Sequence, residues 1–178
     1  MKKATIKGIM QDKVHNNPVV LLEIEGTHRV VPIWIGACEA WALTMTLEKV
    51  EFPRPLTHDL IISIAEILDA KVERVVIRSI KEGVFLSTLV MKDLNQQTDT
   101  DEPSSAIEID ARPSDCIVIA AKTGIPIYIS SEVILEASME FQAQKDGEES
   151  EEDQFKKFIR SFEMDDLKKY LDQKREEN

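Results

Sequence analysis

The stretch Ala106-Ile-Glu-Ile-Asp-Ala-Arg-Pro-Ser-Asp-Cys-Ile-Val-Ile-Ala-Ala-Lys-Thr-Gly124 changes its hydrophobic period once, and that change decides the fold. Apolar and acidic residues alternate over 106–110, the period of a half-exposed strand. Pro113 then sets the entry to a helix over 113–123, which Gly124 closes from the C-cap side. The same switch occurs upstream. Residues 29–35 read as a strand, and from Gly36 onward Ala37, Ala40, Trp41, Met45 and Leu47 fall at helical spacing as far as about Val50.

Working outward, residues 4–10 and 18–25 read as strands, with Gly26-Thr27 punctuating a hairpin before the third strand. Phe52-Pro-Arg-Pro55 breaks the first helix. Thr57 is a natural N-cap, Asp59 lies in the positive first turn, and Leu60, Ile61, Ile64, Ile67 and Leu68 form an apolar stripe, which predicts a helix over 58–69. Residues 73–80 and 84–92 predict two strands around the turn at Glu82-Gly83. Residues 95–105 read as a polar, acidic loop, 126–130 as a strand and 131–137 as a short helix. A charged linker over 144–153 leads to two amphipathic stretches around Phe155, Phe158, Ile159 and Phe162, and around Leu167, Tyr170 and Leu171.

Strands joined by short turns favour antiparallel pairing, so the expectation is an α+β domain over 1–140. It would hold a mixed, mostly antiparallel sheet or partly closed barrel with packed helices, followed by an acidic linker and helical tail over 141–178. An internal β-β-β-α duplication is suggested by two echoes. Ile33-Trp34-Ile35-Gly36-Ala37 is echoed by Ile107-Glu108-Ile109-Asp110-Ala111, and Arg54-Pro-Leu-Thr-His-Asp59 by Arg112-Pro-Ser-Asp115, although the two echoes are not collinear.

Length and composition suit one globular domain with its own core. No apolar run approaches the roughly 18 residues that span a bilayer, and the start lacks an apolar signal core, which places the chain in the cytoplasm as an expectation. Cys38 and Cys116 lie in helical apolar patterns and make no zinc spacing, so both read as buried, reduced thiols. The net charge is -11. Residues 141–178 hold 12 acidic and 8 basic side chains, leaving 21 and 14 in the first 140, so the body is acidic as well as the tail. Long-range attraction to nucleic acid is therefore weak, and any such partner must be held by a local basic cluster or bound cations.

The two Arg-Pro-hydroxyl-Asp segments concentrate what a phosphate site needs. Arg54 and Arg112 offer planar forks of donors, Ser114 a hydroxyl at a helix start, and Asp110 and Asp115 ligands for a divalent cation such as Mg or for a water. The competing reading makes Thr57 and Ser114 caps and the aspartates dipole partners. His58 stands beside candidate acids and can serve as general base, with Asp59 next to it. Glu39, an acid in an apolar helix between Trp34 and Trp41, needs an arginine or a metal as partner unless it faces solvent. P-loop, dinucleotide, esterase-elbow and zincin motifs are absent.

Four blocks in order carry a family resemblance: Val30-Val-Pro-Ile-Trp-Ile-Gly-Ala-Cys-Glu-Ala40, Arg54-Pro-Leu-Thr-His-Asp-Leu60, Asp110-Ala-Arg-Pro-Ser-Asp-Cys-Ile117 and Pro126-Ile-Tyr-Ile129. Over residues 3–137 the chain resembles the bifunctional nuclease family, and Phe155-Lys-Lys-Phe-Ile159 is similar to the tail of many bacterial members. The resemblance implies a compact α+β fold and cleavage of both DNA and RNA. It puts Glu39, Arg54, His58, Asp59, Asp110, Arg112, Ser114 and Asp115 at characteristic positions, with Cys116 where many members have alanine. Glu39, His58, Asp59 and Asp115 are the expected catalytic groups, Arg54, Arg112 and Ser114 the phosphate binders, and Asp110 with Asp115 the cation ligands. A non-catalytic module that recognises a small anion or a protein partner is the alternative, which the acidic body favours. Exposed apolar groups, among them Trp34, Trp41 and the tail, lead to the expectation of a homodimer.

Overall fold

Two three-stranded meanders build the sheet. In the computed structural model, which describes residues 1–12, 17–95 and 106–140, β1 (Lys2–Gln11), β2 (Pro18–Ile24) and β3 (Arg29–Trp34) pair antiparallel in chain order. β4 (Ala70–Lys81), β5 (Val84–Asp93) and β6 (Ala106–Ala111) repeat the arrangement. Their first turn is a two-residue hairpin in which Glu82 and Gly83 both take positive φ, 51° and 77°, as a turn matched to the strand twist requires.

Four helices complete the described chain: α1 (Ala37–Leu47), α2 (Thr57–Ile67), α3 (Pro113–Thr123) and α4 (Ser131–Ala137). β7 (Ile127–Ile129) and β8 (Met139–Glu140) are short. The strand order is β6-β5-β4-β7-β1-β2-β3-β8, one open mixed sheet whose single parallel pair is β4 with β7. β7 sits at the centre of symmetry of this order. Ile127 is flanked by Ala4 of β1 and Val75 of β4, which run in opposite directions, so the two meanders are arranged about β7 as by a twofold. The sheet curls, since α4 packs on both β4 and β3, strands separated by three others.

The β-β-β-α unit therefore occurs twice, as β1-β2-β3-α1 and β4-β5-β6-α3. Aligned on the helix caps, Gly36 corresponds to Arg112 and Glu39 to Asp115. The repeat is thus offset by two residues from the Ile-Trp-Ile and Ile-Glu-Ile echo, and α2, with the Arg54-Pro55 echo, lies outside it.

α3 is the central helix. Cys116 through Ala120 are all buried, because the helix is enclosed by α1 and α2 on one side and β4 and β5 on the other. β2 is likewise a nearly continuous apolar run buried on both faces: Val20, Leu22 and Ile24 enter the main core, while Val19 and Leu21 join Val30 in a second cluster.

The stripe Leu60, Ile61, Ile64, Ile67 and Leu68 faces outward, and α2 buries His58 and Ala65. Two expectations are corrected. Leu56, not Thr57, occupies the N-cap of α2, where its backbone N–H donates to Asp59 Oδ2 at 2.9 Å. Cys38 is exposed in the first turn of α1, while Cys116 is buried and its thiol is pushed up by that burial. The loop over 96–105 and the linker and tail over 141–178 lie outside the described residues. Among the described residues no helix is long and apolar enough to cross a membrane.

Candidate active site

The first turns of α1, α2 and α3 meet. β6 delivers the chain to Arg112, which takes the N-cap position in extended backbone, and Pro113 follows at the first helical position where its missing N–H costs nothing. Asp115 is then three residues past the cap. Arg112 turns back onto it as a bidentate pair, Nε to Oδ2 at 2.8 Å and Nη2 to Oδ1 at 3.0 Å. The same guanidinium reaches Glu39 Oε1 through Nη1 at 2.8 Å. Both repeat-equivalent acids therefore converge on one arginine.

Glu39 gets there by folding back over Gly36. A Cβ on Gly36 would collide with the Glu39 carboxylate, so the glycine makes the room that brings Glu39 to Arg112. Glu39 is largely enclosed, whereas the Arg112 side chain is 66% exposed. Three of the five guanidinium N–H donors are used, which leaves two without a partner among the described residues.

α2 contributes His58, buried, with Nε2 3.3 Å from Asp115 Oδ1. Since ionised Asp115 only accepts, Nε2 carries a hydrogen in this contact, and in the neutral ring Nδ1 keeps its lone pair. Burial is the largest influence on the Asp115 carboxyl and works to raise it. The Arg112 bonds and charge and the His58 contact outweigh that, and hold the group below the ordinary carboxylate range. Arg112 is pushed above its own ordinary value, first by its bond to Asp115. Three helix N-termini and an arginine thus surround a fixed aspartate and a histidine oriented by it.

The remaining expected residues are placed elsewhere. Asp59 does not join the cluster: it accepts from Lys122 Nζ at 2.8 Å and from the Leu56 N–H, tying the start of α2 to the end of α3. Asp59 is also below its ordinary range, since Lys122 and that N–H overcome a larger opposing effect of burial. Asp110, 79% exposed, pairs with Arg78 at 2.8 Å. Ser114 is buried, and Arg54 is exposed without a hydrogen bond or ion pair among the described residues. Lys122 was missed by sequence reasoning, though it stands seven residues from Asp115, two turns along the same face of α3. His58 and Asp59 bridge those two turns.

Arg78 holds Asp110, Arg112 and His58 take both oxygens of Asp115, and among the described residues no three His, Cys, Asp or Glu side chains gather into one group.

The chain is 36% identical over 174 residues to an uncharacterised protein of Mycobacterium tuberculosis, covering 94% of this chain and 99% of that one. It is 23% identical over 124 residues to bifunctional nuclease 1 of Oryza sativa subsp. japonica, covering 70% of this chain but 36% of the rice protein. A bifunctional nuclease of Oryza minuta matches to the same extent. The bifunctional nuclease domain model matches residues 19–142, a span that contains Glu39, His58, Arg112 and Asp115, and the chain belongs to the bifunctional nuclease domain family.

Proposed function

We propose that this chain hydrolyses phosphodiester bonds of DNA and RNA where the first turns of α1, α2 and α3 meet. The observation that carries the reading is the buried His58 held by Asp115, which Arg112 clamps in turn while keeping two donors for a ligand. In this mechanism His58 Nδ1 accepts a proton from a water, whose oxygen forms the new bond to phosphorus. The bond from phosphorus to the leaving oxygen breaks, and that oxygen is then protonated by the imidazolium or by solvent. Arg112 binds a non-bridging oxygen with its free donors, and the helix N-termini favour the charge that grows there. Glu39 and Asp115 hold the guanidinium in place. The carboxylates are held by Arg112 and Arg78, and each step is assigned to this chain's own side chains.

The free thiols at Cys38 and Cys116 support a cytoplasmic site of action. The test is cleavage of end-labelled single- and double-stranded DNA and RNA, in Mg and in chelator, by the wild type and by His58→Asn. A loss of about 10² to 10⁴-fold is expected for the variant if His58 is the base. Equal rates for the two proteins, or a wild type inert in every condition, would overturn the proposal.

A second reading has its own support. The net charge of -11 and the two carboxylates on Arg112 disfavour a polyanion, and suit a module that binds one small anion without cleaving it. Calorimetry with inorganic phosphate and mononucleotides separates the two, since the module predicts saturable heat that Arg112→Ala removes and no cleavage.

A further inference from the structure

α2 presents its apolar stripe to solvent. Leu60, Ile61, Ile64, Ile67 and Leu68 range from 40% exposure for Ile61 to 80% for Ile67. At about 100° per residue these five side chains fall within an arc of about 120°, and the buried His58 and Ala65 lie about 100° to 120° round the helix from its centre. A contiguous stripe of this kind is rare on a free surface and marks a covered one.

We propose that residues 155–171 of the same chain cover this face. Three features of the sequence select them over a second copy. First, Phe155, Phe158, Ile159 and Phe162 repeat the helical spacing of the α2 stripe, and Leu167, Tyr170 and Leu171 form a second apolar set at helical spacing. Second, the charges are complementary. Residues 155–171 carry five basic and three acidic side chains, whereas residues 1–140 hold 21 acidic and 14 basic, and Glu66 and Asp69 border the stripe. A second copy would instead bring another net charge of -11.

Third, the tether reaches and favours the intramolecular contact. The described chain ends at Glu140 in β8, and residues 141–154 can span up to about 45 Å at roughly 3.3 Å each. The body to be crossed, of about 140 residues, has a radius of gyration of only about 14 Å. Covalent attachment through a tether of this length gives an effective concentration on the order of millimolar, well above the micromolar level of a second copy in dilute solution. The consequence for the site is mechanical. α2 carries His58 on its inner face, so a segment clamped on its outer face holds His58 against Asp115. The proposal concerns α2 alone and stands whether or not the chain cleaves nucleic acid.

The experiment is hydrogen exchange of the full-length protein, wild type against Phe158→Asp/Phe162→Asp, at two protein concentrations tenfold apart with light scattering alongside. The expected result is exchange over residues 60–68 at least about tenfold faster in the double variant, unchanged exchange in β5, and no dependence on concentration. Ile64→Asp/Ile67→Asp, which alters only exposed positions, should reciprocally speed exchange over residues 155–171. Equal α2 exchange in the wild type and the tail variant would overturn the proposal. So would protection that rises with concentration together with a doubled mass, the signature of a second copy on this face.

Discussion

The first turns of α1 and α3 hold the same place in the two repeats, yet one begins on Gly36 and the other on Arg112. Both carry an acid three residues later, Glu39 or Asp115, and both acids end on the one arginine. In the α3 half the cap residue supplies the donors, while in the α1 half the cap supplies only space. The pair shows how a repeated scaffold makes a single site. Two equivalent carboxylates orient one guanidinium, and a third element outside the repeat, α2, adds the histidine.

The comparison breaks most completely at Asp115. Asp115→Ala removes the acceptor for His58 and for two Arg112 bonds, and cleavage should fall by about 10² to 10⁴-fold. Stability should fall too, by about 1 to 3 kcal/mol, because a charge-assisted network loses its centre; urea titration measures it. Glu39→Ala, at the equivalent position, leaves the His58 contact intact and should cost less than Asp115→Ala on both scales.

In the core the halves also differ. Ile117 of α3 is fully buried, whereas its counterpart Trp41 of α1 is half-buried beside Phe52, with ring centroids 5.5 Å apart. Ile117→Ala should destabilise by about 2 to 5 kcal/mol, read as a lower denaturant midpoint at unchanged slope.

Gly36→Ala sharpens the comparison from the other side. The added methyl displaces the Glu39 carboxylate, the far end of a flexible side chain, so stability should change by no more than about 0.5 kcal/mol. Cleavage should fall several-fold, since Arg112 keeps Asp115 but loses Glu39.

The pH effect is the smallest. Asp115 and Asp59 lie below the ordinary carboxylate range because Arg112 and Lys122 outweigh the larger single effect of burial, which alone would raise them. A depressed carboxyl stabilises the fold above its unfolded value of about 3.9, and that stabilisation is lost as pH falls through the folded value. Unfolding free energy should therefore drop below about pH 4. Asp115→Asn should remove part of that slope, and Asp59→Asn another part.

Much of the fold is legible in local signals. Glu82-Gly83 announces its hairpin, and Pro113 and Gly124 mark the ends of α3 to the residue. The register of the repeat is less legible, because Ile-x-Ile alternation marks a strand wherever it occurs, while equivalence is set by where each helix is capped. The α2 stripe shows that one face is apolar and is silent about what covers it, so its exposure emerges only in the tertiary structure. In the site, Arg112, Asp115, Glu39 and His58 stand out as polar groups at helix starts. Their separation from Asp59 and Asp110 depends on Lys122 and Arg78, partners 63 and 32 positions away that no local pattern pairs with them.

The measurement that most directly tests the central claim, that His58 and Asp115 act as one unit, is a double-mutant cycle on the cleavage rate, using His58→Ala, Asp115→Asn and the double variant. Circular dichroism would verify that each protein is folded. The account predicts that the double variant is no slower than the slower single one, the non-additivity of groups that share a step. Losses that multiply, or a His58→Ala protein that cleaves at the wild-type rate, would contradict it.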